Sequence, residues 1–130
     1  MADDKMPPNV KEALRKDGWT LEDTALCIRS DSYYYLIDLE ARKNDQKILI
    51  EVKSWLSTSF NPDWFMAVGQ YISYQEAIAV EELDYKLYLA VPEDVYVEKF
   101  GNQFMQDLIT KNSINLLIFD RNSNTVVTWK

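Results

Sequence analysis

The run Ile50-Glu51-Val52-Lys53-Ser54 sets a carboxylate and an ammonium at the end of the apolar stretch Lys47-Ile48-Leu49-Ile50. That stretch reads as a strand buried on both faces. Charges at such a place are costly unless they are paired or hold a metal. Side chains alternate along a strand, so Glu51 and Lys53 point to one face and Val52 to the other. Upstream, Tyr33-Tyr34-Tyr35-Leu36-Ile37-Asp38 reads as a second strand with one acid near its end. Two acids and a lysine converging at strand ends form a small cation-binding pocket with an amine beside it, which is equipment for hydrolysing a phosphodiester.

Asp38 and Glu51 lie across a hairpin whose turn falls near Arg42 to Gln46. Side by side, the two acids can meet at one cation, with the Val52 backbone carbonyl as a third protein ligand. Carboxylates in this setting suit Mg²⁺ or Mn²⁺. Lys53, one pleat on, would sit beside the attacking water or the scissile phosphate and stabilise charge in the transition state. An isolated Glu-x-Lys is more often a simple ion pair near solvent. Its place after a buried strand, with an acid at the end of the paired strand, favours the functional reading.

The chain has 130 residues and reads as a single domain over 1–130, large enough for one sizeable core. An apolar fraction of 47% with 27% charged residues is ordinary for a globular protein. No apolar stretch reaches spanning length and the N-terminus lacks the pattern of a signal peptide, so a cytoplasmic location is expected. The absence of histidine excludes Ser-His-Asp and Cys-His triads and histidine metal sites. The single cysteine, Cys27, lies in an apolar run and is expected to be a buried thiol. Three scattered glycines exclude a phosphate loop. A net charge of −7 argues against a broad, non-specific grip on nucleic acid, although a bound divalent cation would reverse the sign locally.

The elements that must position these residues follow from the pattern. Pro7 to Asp17 reads as a helix stopped by Gly18. Thr24–Ser30, Tyr33–Leu39 and Lys47–Lys53 read as three strands of an antiparallel meander. Asn61-Pro62-Asp63 opens a second helix running to about Glu82, with Phe65, Val68, Ile72, Ala79 and Leu83 as its apolar face. Tyr85–Val91 is a buried strand, 93–111 a helical region broken at Gly101, Ile114–Phe119 another buried strand and Thr125–Trp129 an edge strand. Strand–helix–strand units demand parallel neighbours and right-handed crossovers. The expected α/β fold is therefore a three-layer domain with a mixed central sheet flanked by helices. Only the first half-dozen residues read as disordered.

Gln70 and Tyr74 lie four apart on the second helix and share a face. They either face the carboxylate pocket as substrate-binding support or simply pack against the sheet. Gly69 precedes them in mid-helix at a cost of about 1 kcal/mol relative to alanine, which suggests close approach to the sheet or a ligand. Glu12 on the first helix is a further candidate ligand or proton acceptor, although its basic flanks Lys11, Arg15 and Lys16 equally fit an exposed salt-bridged face. The tyrosines 33 to 35 read as sheet residues more readily than as a base-stacking platform.

The pattern Ile37-Asp38 followed by Glu51-Val52-Lys53 resembles the PD-(D/E)xK nuclease superfamily, whose restriction-endonuclease-like core is helix, three-stranded meander, helix, strand. Ile37 stands where the superfamily's name has proline. Gln70-x-x-x-Tyr74 is similar to the glutamine–tyrosine motif of its RecB-like branch. A closer resemblance covers nearly the whole chain. Lys16-Asp17-Gly18-Trp19, Ile50-Glu51-Val52-Lys53-Ser54, Ala67-Val68-Gly69-Gln70-Tyr71-Ile72-Ser73-Tyr74 and Tyr88-Leu89-Ala90-Val91-Pro92 look like the XisH family, with a shortened segment between Asp38 and Glu51. Those are cyanobacterial proteins named as controlling factors for excision of the fdxN DNA element. The resemblance implies DNA rearrangement as the setting, DNA as substrate and a small XisI-like protein as partner, and nucleases with this core often act as homodimers. Three functions stay open at this point: a Mg²⁺-dependent endonuclease, a catalytically inactive binding module working through its partner, and a toxin-like nuclease that the partner holds in check.

Overall fold

The first helix, α1 (Met6–Lys16), ends where the sequence places its stop. Gly18 takes a left-handed φ of 95°, and the amides of Gly18 and Trp19 fold back onto the carbonyls of Arg15 and Leu14. Val10, Ala13 and Leu14 form its buried stripe. The computed structural model describes residues 6–22, 26–55 and 60–130. The expected disorder at the N-terminus falls, up to residue 5, outside the described residues, as do Thr24 and Ala25 of the expected first strand.

Five strands follow: β1 (Thr20–Leu21), β2 (Leu26–Ser30), β3 (Tyr33–Ile37), β4 (Leu39–Lys43) and β5 (Gln46–Val52). Next come helix α2 (Phe60–Val80), strand β6 (Lys86–Pro92), helices α3 (Glu93–Lys99) and α4 (Gln103–Lys111), and strands β7 (Leu116–Asp120) and β8 (Thr125–Trp129). Six strands make one mixed sheet in the order β1-β4-β5-β6-β7-β8, while β2 and β3 form a separate two-stranded sheet. β5, β6 and β7 are parallel to one another, and β4 and β8 run antiparallel at their flanks.

The expected three-strand meander is corrected here. The second strand is broken at Asp38, so that β3 pairs only with β2 and β4 pairs with β1 and β5. A run apolar enough to be read as one strand serves two sheets, because Tyr35 and Ile37 of its first half turn into the core on the α2 side while Leu39 and Ala41 of its second half pack on the α1 side. The break at Gly101 is as expected: Asn102 caps α4 by accepting the Met105 amide at 2.9 Å.

Helices cover both faces of the main sheet. On one, α1 packs over Leu39, Ala41, Ile48, Ile50, Val52, Ala90 and Leu117. On the other, α2, α3 and α4 pack over Leu49, Leu87, Leu89, Val91, Leu116 and Ile118. Period-two alternation along β5 thus feeds two cores at once. The mixed α/β architecture with flanking helices stands.

Two expectations about faces do not. The buried side of α2 is Trp64, Ala67, Tyr71, Tyr74, Ala77 and Ile78, not the row through Phe65, Ile72, Ala79 and Leu83. Both rows have helical spacing, and the aromatic one fills the space above the sheet better. Val68 alone of the expected set touches the core. Cys27 is exposed, because Ile28 beside it points inward. Tyr33 and Tyr34 are likewise exposed, while Tyr35 turns in.

Tyr71 ties α2 to the sheet. Fully buried, its hydroxyl accepts the Asn115 amide at 2.9 Å and lies 3.1 Å from the Leu87 carbonyl, to which it donates. Burial pushes its pKa up, so it stays a donor. Tyr71→Phe keeps the ring and strands the Asn115 N–H. Urea denaturation should show a loss of about 1–3 kcal/mol with an unchanged m-value; an unchanged midpoint would remove Tyr71 from the stability of this junction.

Candidate functional site

Asp38 sits on the bend between β3 and β4, one position past the last ladder pair, Leu39 with Ile50. Its Oδ2 accepts the Val52 N–H at 3.0 Å. The carboxylate thus takes over an amide that the bend has deprived of a strand partner. This single bond fixes Asp38 against the end of β5 and brings it beside Glu51.

Glu51 points to the same sheet face as Leu49, under α2. It is only 3% exposed, and its Oε1 has no hydrogen-bond partner. Its Oε2 lies 3.7 Å from Lys53 Nζ. Burial, then the charge of Asp38, pushes the Glu51 pKa from 4.5 up to about 8; Lys53 opposes the rise, and a hydrogen bond shared with Asp38 adds to it. Burial and the neighbouring Asp38 thus favour the protonated form of Glu51 near neutral pH. Such a pair of carboxylates, one with an unpartnered buried oxygen, fits a divalent cation, which would replace the proton and satisfy the orphaned acceptor. Among the described residues no group of three or more acidic or sulfur ligands gathers, so Asp38 and Glu51 would need a backbone oxygen such as that of Val52, or water, to complete a coordination shell.

Tyr74 comes to the same place. It is buried, and desolvation together with the charges of Glu51 and Asp38 pushes its pKa up to about 12, so the phenol is a neutral donor. Its ring meets that of Tyr35 edge-on at 5.4 Å. Tyr35 was not singled out from the sequence; its inward position in the period-two pattern of β3 was the available signal. Gln70, one turn before Tyr74, has a buried Oε1 without a partner. Glu12 stands apart: it forms a half-exposed pair with Arg15 at 3.9 Å, on the helix that covers the opposite sheet face.

Trp55 holds the chain as it leaves Lys53. It has a φ of 55°, a left-handed conformation that is unusual for a bulky side chain. The surroundings compensate: its indole N–H donates to the Ala90 carbonyl at 3.0 Å, and its ring packs among Phe60, Trp64 and Phe100. The sequence contains no signal for this role, since nothing local demands positive φ at a tryptophan.

A wider groove, of about 790 Å³, lies at the other end of the strands, lined by residues including Trp19, Lys43, Lys47, Lys86 and Trp129. It also carries Asp17, Asp45 and Asp84, so its charges cancel, and its size does not make it the chemical centre. Among the described residues no helix is long and apolar enough to cross a membrane.

No curated protein matches the chain. The model of the XisH protein family matches residues 1–127. Among solved structures, an XisH family protein from Nostoc punctiforme PCC 73102 is similar, with a TM-score of 0.88, 32% identity, and 95% of this chain and 96% of that chain covered. A protein from Anabaena variabilis described as an fdxN element excision controlling factor is similar too, with a TM-score of 0.88, 35% identity, and 94% and 95% covered. With a family model spanning nearly its whole length and two such relatives, the chain belongs to the XisH family.

Proposed function

We propose that this protein is a cytoplasmic excision factor with a PD-(D/E)xK-like nuclease site, acting on DNA together with an XisI-like partner. The observation that carries the reading is the buried, unpartnered oxygen of Glu51 beside Asp38 and Lys53. The name of the Anabaena variabilis relative supports the setting of element excision.

In this reading Asp38 and Glu51 hold Mg²⁺ or Mn²⁺, with the Val52 carbonyl as a third protein ligand. The bound cation supplies Lewis-acid polarisation of the scissile phosphate. Lys53, already 3.7 Å from Glu51, presents a cation to the phosphate oxygens and orients the attacking water. Tyr74, held neutral, donates a hydrogen bond at the edge of the pocket, and the Gln70 amide contacts the substrate from the same helix face. Burial under α2 keeps the Glu51 carboxyl out of bulk water, which strengthens the interactions it makes, while Asp38 is exposed at the rim of the pocket.

A second reading, a binding module without catalysis, has an observation in its favour. The net charge of −7 weakens any grip on DNA and suits a protein that works through a partner. Calorimetry separates the two: absence of Mn²⁺ binding, together with a tight complex with an XisI-like protein, would favour the module.

Two outcomes follow. In plasmid cleavage with Mg²⁺ or Mn²⁺, Glu51→Ala and Lys53→Ala should each lower the rate by roughly 10²–10³-fold; equal cleavage by wild type and both variants would remove these residues from catalysis. The second concerns the metal-free protein. A carboxyl group whose folded-state pKa is raised stabilises the fold fully below 4.5 and loses that contribution as pH rises through about 8. Wild-type stability should therefore fall by a few kcal/mol across that window, and Glu51→Gln should flatten the fall. Parallel urea profiles for the two proteins at all pH values would contradict the raised Glu51 pKa.

A further inference from the structure

We infer that the exposed side of α2 is the self-association surface of this protein, occupied by α2 of a second copy running antiparallel across a two-fold axis between Gly69 and Ile72. Positions 65, 69, 72, 76 and 79 are spaced four, three, four, three, the interval that keeps a seam facing one partner helix. This row lies on the side of the helix opposite the buried one and is unpartnered within the chain: Phe65 is 68% exposed and Ile72 45%. A helix that is apolar nearly all round belongs in an interior. The charged residues of α2 are Asp63 and Glu76, with no lysine or arginine.

Gly69 points to the occupant. A side chain built there would meet nothing within 4 Å, so the fold itself gives no reason for a glycine, among the poorest helix formers, in mid-helix. Something outside the chain must approach closely. A dyad midway between Gly69 and Ile72 puts the Ile72 side chain of each copy into the gap at Gly69 of the other. The same dyad sets Phe65 opposite Glu76. Phe65 lines an apolar groove of about 800 Å³ in which Lys99 is the charged residue, and the Lys99 ammonium sits over the Phe60 ring with no acid as partner among the described residues. Glu76 of one copy therefore arrives beside Lys99 of the other, twice by symmetry.

The area is sufficient. Phe65, Met66, Ile72, Val80 and Phe104, all exposed, offer roughly 500 Å² of apolar side chain, most of the about 800 Å² per partner of a standard interface once the polar rim is added. The inference does not depend on whether the carboxylate site is catalytic.

Sedimentation velocity on the full chain, from sub-micromolar to roughly 100 μM, tests it. The wild type should dimerise, and Ile72→Glu should weaken the dimer at least about 100-fold while the far-UV dichroism is unchanged. Gly69→Leu improves helix propensity, fills open space in the monomer and blocks the partner's Ile72, so it should stay folded and monomeric even if the charged variant does not fold. Glu76→Lys and Lys99→Glu should each weaken the dimer about tenfold, and the double reversal should restore it. A wild type monomeric over the whole range would overturn the proposal, and so would a dimer indifferent to Gly69→Leu or charge variants that are not rescued by reversal.

Discussion

A carboxyl group at the end of a strand covered on both faces cannot be neutralised by water, and Glu51 is such a group. It must keep a proton, share one, pair with an amine or bind a cation. The surrounding structure can be understood as the means of holding that situation in place. β5 contributes Leu49 and Glu51 to the side under α2, and Ile48, Ile50 and Val52 to the side under α1. Removing α2 would flood Glu51 and return it to an ordinary acid.

Asp38 shows how the backbone serves the same end. Were β3 and β4 one straight strand, Asp38 would be a ladder residue with its side chain free to choose a rotamer. The bend removes it from the ladder, and the Val52 amide left without a strand partner captures its Oδ2 at 3.0 Å. The acid is thereby pinned at the point where its charge raises the pKa of Glu51. Trp55 does the corresponding work on the exit side, trading a left-handed backbone for an indole hydrogen bond and an aromatic cluster. Both devices spend local strain or lost strand pairing to fix a geometry, which is typical of sites and rare elsewhere in a sheet.

α2 serves two surfaces. Its inner row, with Tyr71 and Tyr74, closes the core and the pocket. Its outer row, with Phe65 and Ile72, is exposed in the isolated chain. A helix that is apolar on two opposite faces cannot be assigned an inside by periodicity alone, and this is why the sequence reading chose the outer row. The choice was settled by volume: tryptophan and tyrosine rings fill the space over the parallel strands, and the smaller glycine-bearing row is left out.

Sequence alone determined the features that depend on near neighbours. Alternation along β5 put Glu51 and Lys53 on one face, a buried strand before them marked them as out of place, and Gly18, Gly101 and the prolines marked helix ends. The spacing of Gln70 and Tyr74 put them on one helix face. Tertiary structure decided what depends on competition between distant partners: the splitting of one apolar run into β3 and β4, the departure of the β2–β3 hairpin into its own sheet, the exposure of Cys27, and which row of α2 is buried. It also decided that Asp38 and Glu51 meet. Their meeting requires a bend, a captured amide and a helix overhead, and each of those comes from a segment whose local preferences are silent about the others.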